Sequence, residues 1–120
     1  MQKLKCHCGA IEAEINIAEN IEKILRCNCS LCKRKAAVMA LVKNSEFNIV
    51  KGEDKLQLYQ FHTKVAKHYF CSICGIYTHH NPRSNPAMTG FNLGCLDSID
   101  TFKLKNIQIN DGKNHPLDKK

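Results

Sequence analysis

The stretch CSICG, Cys71–Gly75, sets two cysteines three residues apart and follows them with a glycine. A C-x-x-C turn lets two sulfurs converge on one ion at about 2.3 Å each. The trailing glycine suits the positive φ that turns backbone N–H groups toward thiolates. Near the start of the chain CHCG, Cys6–Gly9, has a tighter spacing and the same glycine. Each pair is half of a tetrahedral site. Together Cys6, Cys8, Cys71 and Cys74 make one four-thiolate centre, closed and redox-silent, that ties the beginning of the chain to a strand end far along it. A structural zinc of this kind contributes about 10 kcal/mol or more to folding. The competing reading gives each pair its own ion.

Such a clamp suits this composition. The chain has 120 residues, 43% hydrophobic, with 7% aromatic and no Trp, so its core is thin, while cysteine is used eight times. Closely spaced cysteines belong either to a disulfide framework in an oxidising compartment or to metal sites in a reducing one. MQKLKCHCGA lacks the apolar run of an export signal. No later stretch approaches the roughly 18 apolar residues of a membrane span. C-x-C and C-x-x-C neighbours also bridge one another poorly or reactively. These points favour metal, and a cytoplasmic location. No linker or repeat divides the sequence, so residues 1–120 read as a single zinc-binding domain, with 112–120 as a loose basic tail.

The formal charge of +7 invites a nucleic-acid reading. A zinc with four thiolates carries about −2 and one with three about −1, so +7 becomes about +4. That is a mildly basic protein. It has few aromatics to stack on bases and no helix-in-groove motif.

The segments between the cysteines read as strands. AIEAEINI alternates Ile11, Ala13, Ile15 and Ile17 against Glu12, Glu14 and Asn16, as a half-buried strand does. AAVMALV (36–42) is a continuous apolar run. FNIVKG, LQLYQF, KVAKHYFC, MTGFNLGCL and FKLKNIQI complete the set, with turn signals at Gly52–Asp54 and around His62–Thr63. NPRSNPA is a loop. Helix is confined to SLCKRKAA, with Ser30 as cap, and to NIEKIL. The expected class is all-β: small antiparallel sheets clamped by metal knuckles, with little helix.

CNCSLC, Cys27–Cys32, is the odd cluster, because it brings three sulfurs of its own. Three protein ligands with one exchangeable place is the pattern of catalytic zinc, and four the pattern of structural zinc. Candidates for the fourth place are Cys95, His7, His79, His80, water, or the thiolate of a substrate. Cys95, in FNLGCL, would close the site, or it could be buried as a small apolar residue. Lys33, Arg34 and Lys35 follow directly and could meet carboxylates, temper thiolate charge or form a solvated turn. His79 and His80 are neighbours on a strand, so at most one faces the site. Tyr77 and Phe91 read as packing residues.

The motifs CHCGAIEAEI, CNCSLCKRKAA, YFCSICGIYTHHNPRSNP and FNLGCLD, in this order from about residue 6 to residue 103, resemble the glutathione-dependent formaldehyde-activating enzyme family, also called the centromere protein V family. The resemblance implies a β-tent fold, a structural zinc on Cys6, Cys8, Cys71 and Cys74, and a second, catalytic zinc on Cys27, Cys29 and Cys32. It also implies a carbon–sulfur lyase activity that condenses formaldehyde with glutathione to S-hydroxymethylglutathione. Cys95 is not among the family's usual zinc ligands. On this reading a small thiol such as glutathione enters the open place as thiolate, and a histidine, His80 before His79, shuttles the proton. The alternative is a non-catalytic, zinc-stabilised binding module for a protein or small thiol.

Overall fold

Alternation at the start of the chain builds the first sheet. The computed structural model describes residues 1–17, 24–61, 64–83 and 85–111. In it β1 (Gln2–Lys5) pairs antiparallel with β2 (Glu12–Ile15), setting Leu4 opposite Ala13. Leu4, Ile11, Ala13 and Ile15 are fully buried, while Lys5 and Glu12 face each other on the outer surface at 4.0 Å. This is the period-two pattern read from AIEAEINI.

The chain then supplies β3 (Ile24–Cys27), the helix α1 (Ser30–Lys35), β4 (Met39–Lys43), β5 (Phe47–Lys51) and β6 (Leu56–Tyr59). After these come β7 (Lys67–Cys71), β8 (Tyr77–Asn81), β9 (Met88–Asn92) and β10 (Gln108–Asn110). Strand β5 joins β1 and β2 in the order β1-β2-β5; the other seven form one sheet in the order β10-β3-β4-β9-β8-β7-β6. The mostly-β expectation holds, with α1 and four short 3-10 turns as the helical content of the described residues.

The main core lies between the sheets. Leu4, Ala13 and Ile15 from one meet Ala40, Val42 and Phe91 from the other, with Leu93, Cys95 and Leu96 closing the end. Phe91 is fully buried and is worth about 1.5–3 kcal/mol in apolar transfer alone. On the opposite face of the larger sheet a second cluster packs Leu25, Met39 and Tyr77. The candidate chemistry sits on that opposite face.

Several local expectations change. The NIEKIL helix is not formed where it is described: Ile24 and Leu25 belong to β3, paired with Ala40 and Met39, because Leu25 gains burial against Met39 and Tyr77. Its first four residues, 20–23, lie outside the described residues, as do the turn at His62–Thr63 and the tail 112–120. FKLKNIQI is not one strand. The Asp100 carboxylate accepts from the Phe102 N–H and starts a 3-10 turn at Thr101–Lys103, and Asn106 takes a left-handed φ of 59°. Only Gln108–Asn110 pairs, and it pairs parallel to β3, so the larger sheet is mixed rather than wholly antiparallel. Ala36, read as the start of a strand, is the left-handed C-cap of α1. No described helix is long and apolar enough to cross a membrane.

Candidate metal centres and the adjoining pocket

The two glycine-tailed motifs fold into matching knuckles. The Cys6 N–H donates to the Ile11 carbonyl and the Cys71 N–H to the Ile76 carbonyl, five residues on in each case. Gly9 and Gly75 both adopt φ of 80° and donate back to the carbonyls of Cys6 and Cys71. The N–H of Ile11 points at the Cys6 sulfur (3.3 Å) and that of Ile73 at the Cys71 sulfur (3.4 Å). Backbone donors aimed at sulfur favour thiolate over thiol.

The sulfurs of Cys6, Cys8, Cys71 and Cys74 all lie within 4.8 Å of one another. Bonds of about 2.3 Å from a tetrahedral zinc place sulfurs about 3.8 Å apart. The Cys6–Cys8 and Cys8–Cys71 separations are both 3.7 Å. The donor set and its spacing therefore fit zinc, and one four-sulfur cluster replaces the reading of two separate ions.

The three-cysteine cluster forms where β3 hands over to α1. Cys27 ends β3, Cys29 caps α1, and Cys32 is buried within it. The cap is Cys29 rather than Ser30: its sulfur accepts from the Cys32 N–H at 3.3 Å, and the Cys27 sulfur accepts from the Cys29 N–H at 3.5 Å. Strand β10 braces the turn, since the Asn28 N–H donates to the Asn110 carbonyl and its side-chain amide to Asp111. The three sulfurs lie within 4.8 Å of one another, and no further His, Cys, Asp or Glu among the described residues joins them within that span. Hydrogen bonds with the Cys27 thiol, then the Cys32 thiol, hold Cys29 well below the ordinary thiol range. Hydrogen bonds with the Cys27 sulfur, then the Cys29 sulfur, push Cys32 up. Three sulfurs this close together are a ready ligand set for a soft, borderline cation.

The rival fourth ligands go elsewhere. The Cys95 thiol is buried in the main core and donates to the Tyr77 carbonyl at 3.6 Å; burial pushes it up to about 12. His7 is exposed on the first knuckle. His79 turns toward the main core, on the same face as its cross-strand partner Phe91, with its ring 4.6 Å from those of Phe47 and Tyr69. Its Nδ1 is 2.8 Å from the Thr78 hydroxyl.

His80 turns the other way, and a bulge decides its company. Phe70 lies opposite Tyr77 and Tyr69 opposite His79, which leaves Thr78 as an extra residue in β8. The extra residue shifts the alternation, so Tyr77, three positions before His80, shares its face. The Tyr77 hydroxyl and His80 Nδ1 are hydrogen-bonded. His68, opposite His80 in β7, stacks on it at 5.4 Å. Lys35 then comes in from α1: its ammonium donates to His68 Nδ1 at 3.0 Å and lies 3.7 Å from the centre of the Tyr77 ring.

This group borders a pocket of about 320 Å³. Leu31 and Lys35 line it from α1, His68 and Phe70 from β7, and Tyr77 from β8, with Tyr59 at its edge. The volume is at the small end for ligand sites, and the aromatic lining with a few polar groups is typical of them. Burial foremost, reinforced by the Lys35 charge, lowers His68 to about 4 and His80 to about 3, so both imidazoles are neutral near neutral pH. Lys35 is lowered by burial and raised by the charge of Cys32, then Cys29 and Cys27. That shared influence connects the pocket wall with the three-cysteine turn.

Of the basic run after Cys32, Lys33 and Arg34 are exposed, and Arg34 donates to the Ser30 carbonyl of its own helix. Only Lys35 turns inward. The sequence does not single out His68, and Tyr77 reads there as a packing residue. The available signal was KHYF against YTHH, which brings two histidines opposite each other once the hairpin is formed. The bulge that adds Tyr77 to them has no local sequence mark.

A family model described as glutathione-dependent formaldehyde-activating enzyme matches residues 1–110. The chain is also similar to a Rhodobacter sphaeroides protein of known crystal structure. The two are 42% identical with a TM-score of 0.85, over 90% of this chain and 99% of that one.

Proposed function

Because the chain belongs to the glutathione-dependent formaldehyde-activating enzyme family, we propose that it is a zinc-dependent enzyme of the carbon–sulfur lyase type, joining a small thiol such as glutathione to formaldehyde and releasing it again. The observation that carries this reading is the three-sulfur cluster of Cys27, Cys29 and Cys32, which no fourth His, Cys, Asp or Glu among the described residues completes, on the helix α1 that also lines an aromatic pocket.

Cys27, Cys29 and Cys32 would hold one zinc, and Cys6, Cys8, Cys71 and Cys74 another whose role is structural. A zinc held by three thiolates would supply a place for an incoming thiol and would lower that thiol's pKa. The chain's own residues do the rest. Lys35, on which the charges of Cys32, Cys29 and Cys27 act, would offset negative charge at that turn. Tyr77, Phe70 and Leu31 give the pocket an apolar side. Addition of a thiol to an aldehyde forms a C–S bond, opens the C=O π bond and moves one proton from sulfur to oxygen. The Tyr77–His80 pair is the proton-holding group this reading assigns, since His80 is neutral and bonded to the Tyr77 hydroxyl. His79, facing the core, has a packing role instead.

The test is exchange spectroscopy of formaldehyde with glutathione, with and without the protein. Faster exchange, lost in Cys27→Ser, is expected. No acceleration with glutathione or any other thiol tried would leave the binding-module alternative in its place.

A further inference from the structure

Lys35 faces the pocket without a carboxylate partner among the described residues. The ion pairs found there, Lys5–Glu12 and Lys55–Asp54, lie elsewhere. The groups that act on its ammonium are His68 Nδ1, the face of Tyr77 and the three sulfurs of the neighbouring turn. Imidazole and phenol ring carry no net charge, while the sulfurs of Cys32, Cys29 and Cys27 act on the ammonium through their charge and form no hydrogen bond with it among the described residues. Removing an ammonium from water is costly unless an anion compensates it. This one is nevertheless held in place by a hydrogen bond and a ring face, and it is the cationic group in a wall otherwise made of Leu31, His68, Phe70, Gly75 and three tyrosines.

The helix explains the placement. Leu31 and Lys35 are four residues apart, so they stand on one face of α1. Cys29 and Cys32 hold their sulfurs at the N-terminal turn of the same helix. A molecule in the pocket is thus flanked by a cation borne on the same helix as two of the three sulfurs. Anything that reaches both must carry a metal-seeking group and an anion a short distance apart.

We propose that Lys35 is the anion-selecting residue of this pocket, and that the pocket takes a small thiol bearing a carboxylate a few bonds from its sulfur. The proposal rests on the thiol reading of the three-cysteine site and adds to it the charge that the ligand must carry and the residue that reads it. A charge-assisted hydrogen bond in a site sheltered from water is worth about a tenfold gain in affinity or more.

Calorimetric titration of the zinc-loaded full chain with 3-mercaptopropionate, 2-mercaptoethanol and cysteamine tests it, because these thiols are close in length and differ in terminal charge. The anionic thiol is expected to bind about tenfold tighter than the neutral one, and the cationic one weakest. Lys35→Met is expected to erase that ranking and Lys35→Arg to keep part of it. Equal binding of the three thiols, no binding of any, or a ranking that survives in Lys35→Met overturns the proposal. The ranking on the unmodified chain is decisive even if the Met variant does not fold. Formaldehyde exchange measured on the same samples separates the two claims. A carboxylate preference without faster exchange removes the lyase reading and supports anion selection. Faster exchange with equal binding removes anion selection alone.

Discussion

The imidazole of His80 lies directly on Gly90, its cross-strand neighbour in β9, so that a Cβ at residue 90 would stand 2.8 Å from Nδ1 and closer still to Cε1. The glycine is not needed for its φ. It is needed because the ring occupies the space of a side chain, and the ring's position sets the hydrogen bond to Tyr77 and the stack on His68.

Gly90→Ala is therefore expected to destabilise the protein by about 1–3 kcal/mol, the cost of forcing extra volume into a packed site. Combining it with His80→Ala should recover much of that loss, because the clash is then gone. A double-mutant cycle from chemical denaturation measures the coupling. Additive effects would mean that the two residues do not press on each other.

The two sulfur clusters should respond differently to loss of a ligand. Cys71→Ser breaks a buried knuckle that meets the one at the start of the chain, and is expected to abolish cooperative folding, as loss of a structural zinc does. Cys27→Ser should leave a folded protein that binds one metal fewer. Metal content with thermal melting of both variants checks the difference; equal unfolding in both would mean that the three-cysteine turn is structural as well.

Acid should weaken the fold through its histidines. Burial lowers His79 to about 4 from an ordinary value of 6.5, so below pH 6.5 the unfolded chain binds more protons than the folded one. Its contribution is fully present above pH 6.5 and is lost progressively as pH falls toward 4. Linkage gives about 1–2 kcal/mol of that loss between pH 6.5 and 5. His79 is the residue to test, since it packs on Phe47 and Tyr69 away from the sulfur clusters. His79→Phe should flatten the dependence of stability on pH in this window by about that amount. An unchanged slope would show that His79 does not carry it.

Ala36 caps α1 at φ 54° and ψ 30°, a left-handed conformation that strains an L side chain. Ala36→Gly removes the strain and is expected to raise stability by about 0.5–1 kcal/mol. A loss of stability on thermal melting would show that the Ala36 methyl contributes packing that outweighs the strain.

Much of this site was legible before the fold. A knuckle is local chemistry: two sulfurs two or three residues apart, a glycine that can take positive φ, and backbone N–H groups that follow from the turn. The pairing of CHCG with CSICG and the odd count in CNCSLC needed only ligand number. The strand reading of AIEAEINI needed only alternation. FKLKNIQI misled because its alternation ignores Asp100 and Asn106, whose local hydrogen bonding and left-handed backbone compete with pairing.

The amino-acid sequence by itself determined which sulfurs belong together and that strands dominate, because both depend on neighbours within a few residues. Only the tertiary structure decided what surrounds the three-cysteine turn. His79 went to the core because strand phase turned it there, and Cys95 because the 3-10 turn Leu93–Cys95 after β9 carries it inward; no composition or motif records either. Lys35, His68, Tyr77 and His80 met because one extra residue, Thr78, shifts that phase in β8. A bulge is fixed by the register of two strands, and register is set by which partner buries more of each face. That comparison involves the whole sheet, so it is settled only when the chain has folded.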